Sequence, residues 1–271
     1  MLSANFGRLQ ESLRSLEEFS KLETLQGAKE FEQLRYRSYT LHKEVLAANG
    51  TLSLRERVRD DQPPNRLHSL LESAKLYVLA DAGADETVFR EKIQSWIADG
   101  ADLIQLRDKT ADDRTLLDRA KIVRKLTRDS SRGVLFVMND RSDVAKLAEA
   151  DGVHVGQEEL SVQEVRRIVG DEMLIGVSTH DIDQARTAVR DGADYLGVGP
   201  VFPSATKEFE TFPGLEFLRE VAAEIRIPAF AIGGIDADNL PQVLETGITR
   251  IAVSRAPLSS LSRYFNVLQS D

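Results

Sequence analysis

The chain has 271 residues, 42% of them hydrophobic and 29% charged, with a formal net charge of −9 and no cysteine. That composition is ordinary for a globular protein with a sizeable core, and the acidic balance argues against a general nucleic-acid binder, whose affinity comes from clustered Lys and Arg. Without cysteine there is no disulfide framework, thiolate nucleophile or Cys-ligated metal, which fits a reducing compartment.

The opening stretch, MLSANFGRLQESLRS, lacks the apolar core of a signal peptide. No apolar run approaches the roughly 20 residues of a membrane span, so a cytoplasmic location is expected. Leu9, Leu13, Leu16, Phe19 and Leu22 recur at helical spacing, followed by Phe31, Leu34 and Leu41. This predicts a small all-helical module over residues 1–62. At RDDQPPNR, residues 59–66, two prolines and a polar cluster break the pattern, so residues 63–74 are expected to be linker and residues 75–271 the main domain.

Beyond the break, short apolar runs alternate with longer amphipathic ones. The runs are LYVLA (76–80), LIQLR (103–107), VLFVM (134–138), GVHVG (152–156), LIGVS (174–178), YLGVG (195–199), PAFAI (228–232) and RIAVS (250–254). Near-continuous apolar strands separated by helices imply a parallel sheet covered on both faces. Eight such units in a domain of about 200 residues favour a (β/α)₈ TIM barrel over an open doubly wound sheet.

In such a barrel the site lies at the carboxyl ends of the strands, and polar residues concentrate there. In GADLIQLRDKT (100–110), Gln105, Arg107 and Lys109 fall at i, i+2 and i+4 and point the same way, and two cations there suggest a polyanion. Later strand ends bring Asn139 and Asp140; Gln157, Glu158 and Glu159; Ser178, Thr179 and His180; Ser204, Thr206 and Lys207; Gly233 and Gly234; and Ser254. Carboxylates at 140 and 159 beside Arg107 and Lys109 fit a diphosphate bridged by Mg²⁺. AIGGI, followed by an expected helix over DADNLPQVLE, offers backbone N–H groups at a helix start, and VSRA with Ser254 offers a second turn, so a monophosphate is expected there. His154 and His180 read as hydrogen-bonded structural residues.

Taken in order, Q-x-R-x-K, ND, DGVHVGQEE, VSTH, GPVFPSATK, AIGGI and VSRA resemble the thiamine phosphate synthase family from about residue 75 to the end. The resemblance implies a (β/α)₈ transferase that joins a pyrimidine diphosphate to a thiazole phosphate. It implies that Gln105, Arg107, Lys109 and Asn139 hold the pyrimidine diphosphate, that Ser178 and Lys207 contact the diphosphate, and that Asp140 and Glu159 hold Mg²⁺. Thr206, Gly234, Val253 and Ser254 would bind the thiazole phosphate, with Ser204 nearby. Arg107, Lys109, Lys207 and Ser178 carry the implied catalysis, stabilising charge on departing pyrophosphate without a protein nucleophile.

Three positions depart from the family pattern: Glu159 stands for Asp, Ser204 for Thr, and Arg255 for a small residue. SANFGRLQESLRSLEEFSKL is similar to a helical extension that precedes some members, where scaffolding or dimerisation is the expected role. The competing readings are a thiazole-phosphate-binding or tautomerase-like paralogue that does not couple the substrates, and a barrel lyase forming a Schiff base on Lys109 or Lys207. Neither a nucleic acid nor a membrane is an expected partner, and a homo-oligomer remains open.

Overall fold

The computed structural model describes residues 66–83, 85–203, 212–254 and 261–268. The chain divides into two compact units, Met1–Pro63 and Pro64–Asp271. The helical module expected over 1–62 lies outside the described residues.

The second unit begins with α1 (Arg66–Ser73). The strands follow as β1 (Leu76–Ala80), β2 (Leu103–Leu106), β3 (Leu135–Asn139), β4 (Gly152–Val155), β5 (Leu174–Thr179), β6 (Tyr195–Val198), β7 (Ala229–Ile232) and β8 (Ile251–Ser254). They form one closed parallel barrel, with β8 returning to β1 through the pair Leu76↔Ile251. Each strand starts and ends within one residue of an apolar run read from the sequence, and the open sheet is excluded by closure. The helices between and after them are α2 (Glu86–Ala98), α3 (Asp113–Asp129), α4 (Ser142–Leu147), α5 (Val162–Val169), α6 (Ile182–Asp191), α7 (Gly214–Glu224), α8 (Leu240–Leu244) and α9 (Leu261–Leu268).

Helix starts follow from local chemistry. Asp85 accepts from the N–H groups of Thr87 and Val88, Asp181 from Gln184, and Ser161 with Glu164 closes a capping box on α5. Each cap satisfies backbone donors that the helix leaves unpaired and contributes about 1 kcal/mol. In α2, Phe89, Ile93 and Trp96 share one buried stripe that packs onto the barrel.

The two-residue period of each strand sorts the core into two shells. Leu76, Val78, Ile104, Leu106, Phe136, Met138, Val153 and Val155 face the helices. Tyr77, Leu103, Leu135, Val137, Leu174, Tyr195, Phe230 and Ala252 face the barrel interior.

At the amino-terminal end of the barrel an Ala-Asp pair recurs before β2, β4 and β6. Asp102 accepts from the N–H of Leu76 (3.0 Å), Asp151 from Phe136 (2.8 Å) and Asp194 from Ile175 (2.7 Å). Each aspartate also donates its own N–H to the carbonyl of the same residue. The paired carboxylates are neutralised in turn, Asp151 by Arg124 and Asp194 by Arg166, each at 2.8 Å.

Residues 66–73, expected to be linker, are instead the helix α1. Leu67, Leu70 and Leu71 recur on one face and join the interior shell at its base, and His68 Nε2 lies 3.3 Å from Asp194. A barrel starting at residue 75 would lack this plug. Leu71→Ala is therefore expected to cost about 2–5 kcal/mol, since Leu71 is only 1% exposed, and to lower the thermal midpoint accordingly. An unchanged midpoint would remove α1 from the barrel's stability.

Candidate functional site

A cavity of about 230 Å³ opens inside the strand ends. Gln105 and Arg107 from β2 and its following loop, Asn139 from β3, His154 from β4 and Ser178 from β5 line it. Gly199, Pro200 and Gly233 come from the turns after β6 and β7, and Ser254 from the end of β8. Strand parity explains the grouping: Gln105, Asn139, His154, Ser178 and Ser254 all occupy inward positions, so closing the sheet points them at one another.

The turn after β7 depends on glycine. Gly233 and Gly234 have φ of 104° and 64°, and a Cβ on Gly234 would lie 2.7 Å from the Phe202 carbonyl oxygen, so no side chain fits. Beyond this turn the helix expected over DADNLPQVLE is only α8, which starts at Leu240. Asp236 and Asn239 hold the intervening residues in a compact turn. The expected helix start at the glycine pair is therefore corrected: any anion contact there falls to the backbone of the glycine turn.

A second cluster stands beside the cavity. Lys109 Nζ is 3.6 Å from Asp140 Oδ2, and Lys109 is the more exposed partner. Burial, and then the charge of Glu159, push the Asp140 carboxyl up from its ordinary value, while Lys109 and the Asn139 amide pull it down. Asp140 sits in the left-handed region at φ 59°, held by its N–H to the His154 carbonyl (2.8 Å) and by its own carbonyl accepting from Ser142. A half-buried carboxylate raised by a neighbouring carboxylate is a donor pair that a divalent cation would relieve, so these residues fit Mg²⁺. Lys109, exposed and paired, lacks the buried isolation that activates a Schiff-base lysine.

Below the rim, a line of polar groups crosses the interior. Gln105 Nε2 donates to Tyr77 Oη at 2.5 Å, and Tyr77 Oη lies 3.0 Å from Tyr195 Oη. Tyr195 Oη lies 3.2 Å from His154 Nδ1, and His154 Nε2 lies 2.9 Å from Ser178 Oγ. Burial pushes both tyrosine hydroxyls above their ordinary value and pushes His154 down to about 4, so the ring is neutral at pH 7. Gly176 makes the room: a Cβ there would come within 2.5 Å of His154 Nδ1.

Measured against the sequence reading, the cavity gathers Gln105, Arg107, Asn139, Ser178 and Ser254, while Lys109, Asp140 and Glu159 form the adjoining cluster. Val253 packs its side chain among the helices, so only its main chain could meet a ligand. Gln157 donates to the Ser178 carbonyl at 2.6 Å and Thr179 to the Gly197 carbonyl at 3.2 Å, both holding the β5 end. Ser204, Thr206, Lys207 and Arg255 lie outside the described residues. His154 and His180 are hydrogen-bonded as expected, yet both line the cavity, as do Tyr77 and Asp81, which the sequence reading passed over. Strand parity could have found Tyr77 and His154, because each shares its strand's inward face.

The thiamine monophosphate synthase family model matches residues 76–256, and the ThiD2 family model matches residues 1–44. A thiamine-phosphate synthase of Rhodopirellula baltica is 41% identical over 261 residues, covering 94% of this chain and 66% of the relative. One from Gloeobacter violaceus is 42% identical over 260 residues, covering 96% and 70%. The chain thus spans about two thirds of the length of these relatives. Among solved structures, thiamine phosphate pyrophosphorylase from Pyrococcus furiosus aligns with a TM-score of 0.65 at 34% identity, covering 75% of this chain and 98% of its own. Phosphoribosyl anthranilate isomerase from Thermotoga maritima, at 14% identity and a TM-score of 0.52 over 72% of this chain and 100% of its own, shares the fold.

The neutral, buried His154 has a consequence for stability. Its folded value is about 4 against 6.5 for the free side chain. Between those values the unfolded chain binds a proton that the folded chain does not. Stability is then lost as pH falls from 6.5 towards 4, by up to about 1.4 kcal/mol per pH unit. Denaturant titrations across that window should show a shallower slope in His154→Gln than in the parent, by about one proton; identical slopes would mean another group is responsible.

Proposed function

This chain belongs to the thiamine monophosphate synthase family, and from that membership we propose that its barrel joins 4-amino-2-methyl-5-hydroxymethylpyrimidine diphosphate to 4-methyl-5-(2-phosphoethyl)thiazole, releasing pyrophosphate and giving thiamine monophosphate. The observation that carries the reading is the convergence of Gln105, Arg107, Asn139, Ser178 and Ser254 on one cavity, with the Lys109–Asp140 pair at its edge.

The chemistry follows from charge. The bond between the pyrimidine methylene and the diphosphate oxygen breaks, and its electron pair leaves on pyrophosphate. The electron-rich aminopyrimidine stabilises the cation left on the methylene carbon, and the thiazole nitrogen supplies the pair for the new C–N bond. Arg107 and Lys109 stabilise the negative charge gathering on pyrophosphate, and Ser178 donates a hydrogen bond to it. Lys207 has the same duty by resemblance. Gln105 and Asn139 orient the pyrimidine, while Ser204, Thr206, Gly234, the Val253 main chain and Ser254 receive the thiazole phosphate. Asp140 and Glu159 would hold Mg²⁺, which when bound neutralises part of the diphosphate charge. With two substrates held in one cavity, positioning supplies much of the rate. On this reading the enzyme is cytoplasmic and needs neither nucleic acid nor a membrane; a homo-oligomer is compatible with it.

Pyrophosphate release with both substrates and Mg²⁺ tests the reading, and its absence at saturation would overturn it in favour of a binding protein. Arg107→Ala should lower turnover on the order of a hundredfold while leaving the thermal midpoint nearly unchanged, because the guanidinium acts on departing charge rather than on packing. Glu159→Gln should raise the Mg²⁺ concentration needed for half-maximal rate and Glu159→Asp should not; an unchanged titration in the Gln variant would free position 159 of any ligand role.

A further inference from the structure

We propose that Tyr77, Tyr195 and His154 form a one-way hydrogen-bond relay that fixes how its two cavity ends meet a ligand, with Gln105 presenting an acceptor and Ser178 a donor. The five residues come from β2, β1, β6, β4 and β5, and each link is within hydrogen-bond reach, from 2.5 Å at Gln105–Tyr77 to 3.2 Å at Tyr195–His154. Gln105, Tyr77 and Tyr195 are 2%, 2% and 0% exposed, so bulk water does not substitute for a missing partner along the line.

Counting protons gives the direction. Gln105 donates through Nε2, so Tyr77 receives a proton from that side and its own hydroxyl proton passes to Tyr195. Tyr195 then donates to His154 Nδ1, and the neutral ring keeps its one proton on Nε2, facing Ser178 Oγ. The serine oxygen accepts from that donor, so the serine proton is not committed to His154 and is left for the cavity. At the other end the amide orientation leaves Gln105 Oε1 as an acceptor.

Run the opposite way, the line would make Tyr77 accept from both neighbours and leave its own proton without a partner in the line. It would also commit the Ser178 proton to His154 and turn bare lone pairs towards an anionic ligand. The forward direction satisfies every member, and bonds in such a line polarise one another in the same sense. The choice of an anionic oxygen at the Ser178 end rests on the coupling reading above. Tyr77, Tyr195 and His154 are thereby positioning residues that act through Gln105 and Ser178.

Two measurements on the full chain decide the matter. Nitrogen-15 NMR of histidine-labelled protein, with the His154 signal assigned by its loss in His154→Gln, should show the Nε2–H tautomer in the free protein; the Nδ1–H tautomer would overturn the relay's direction. Steady-state pyrophosphate release should fall about tenfold in Tyr195→Phe. In a Ser178→Ala background the same change should cost less than about twofold, because residues acting as a unit are not additive. Losses that multiply in the double variant, or wild-type rates in Tyr195→Phe, would overturn the proposal. If Tyr195→Phe does not fold, Tyr77→Phe breaks the line one link earlier, and because Tyr77 meets Gln105 directly its cycle is run against Gln105→Ala and read by the same criterion. Failure of the parent protein to release pyrophosphate would sink the coupling reading alone, since the tautomer measurement needs no substrate.

Discussion

Closing eight parallel strands on themselves sends every second side chain into an interior that must be filled without voids, and this constraint organises the rest of the molecule. Three rings stand among the aliphatic residues that fill this interior: Tyr77, Tyr195 and Phe230 meet edge to face with centroids 5.4 to 5.9 Å apart. Tyr195 fits because the neighbouring inward position on β5 is Gly176, where a Cβ would run into its ring; on β6, Gly197 leaves room for the His154 ring. Two of the rings carry hydroxyls that cannot reach bulk water, so each must find a partner inside the barrel. Packing thus brings polar groups together, and their pairing then fixes orientation.

The site divides its electrostatics by depth. Asp81, Arg107, Lys109, Asp140 and Glu159 carry the formal charges, and Asp81, Lys109 and Glu159 are exposed at the rim. The groups beneath are neutral, and burial keeps them so. Charge at the mouth attracts and holds a polyanion, whereas neutral dipoles in the floor present fixed donors and acceptors at little reorganisation cost.

The strands were legible because a parallel strand buried on both sides is an almost unbroken apolar run, and Gly, Asp or Pro lies within two residues of most strand ends. The rim was legible because charged and amide side chains stand out against such runs, which is how Gln105, Arg107 and Asn139 were found. What escaped has physical reasons. In LYVLA and YLGVG the tyrosines look like ordinary core residues, and only the partners that closure supplies turn them into hydrogen-bonding groups. His154 looked structural because it sits within its strand, but the strand is four residues long and the cavity reaches down to it. Residues 66–73 read as linker because Pro63 and Pro64 outweighed a short leucine stripe whose burial depends on the open base of the barrel.

The aspartates at that base rule the barrel into two-strand modules. Each ties the start of an even strand to the start of the odd strand before it, so β1–β2, β3–β4 and β5–β6 are each stitched within themselves. New chain ends opened between β2 and β3, or between β4 and β5, would leave every one of these carboxylate bonds inside one continuous segment and would ask only the main-chain bond from Leu135 to Asp102, or from Leu174 to Asp151, to form between the two ends. A cut between β1 and β2 would instead leave Asp102 and Leu76 to find each other from opposite ends of a permuted chain. Over β1–β6 the same spacing makes the strand pair, rather than the single strand with its helix, the natural unit for duplication or exchange.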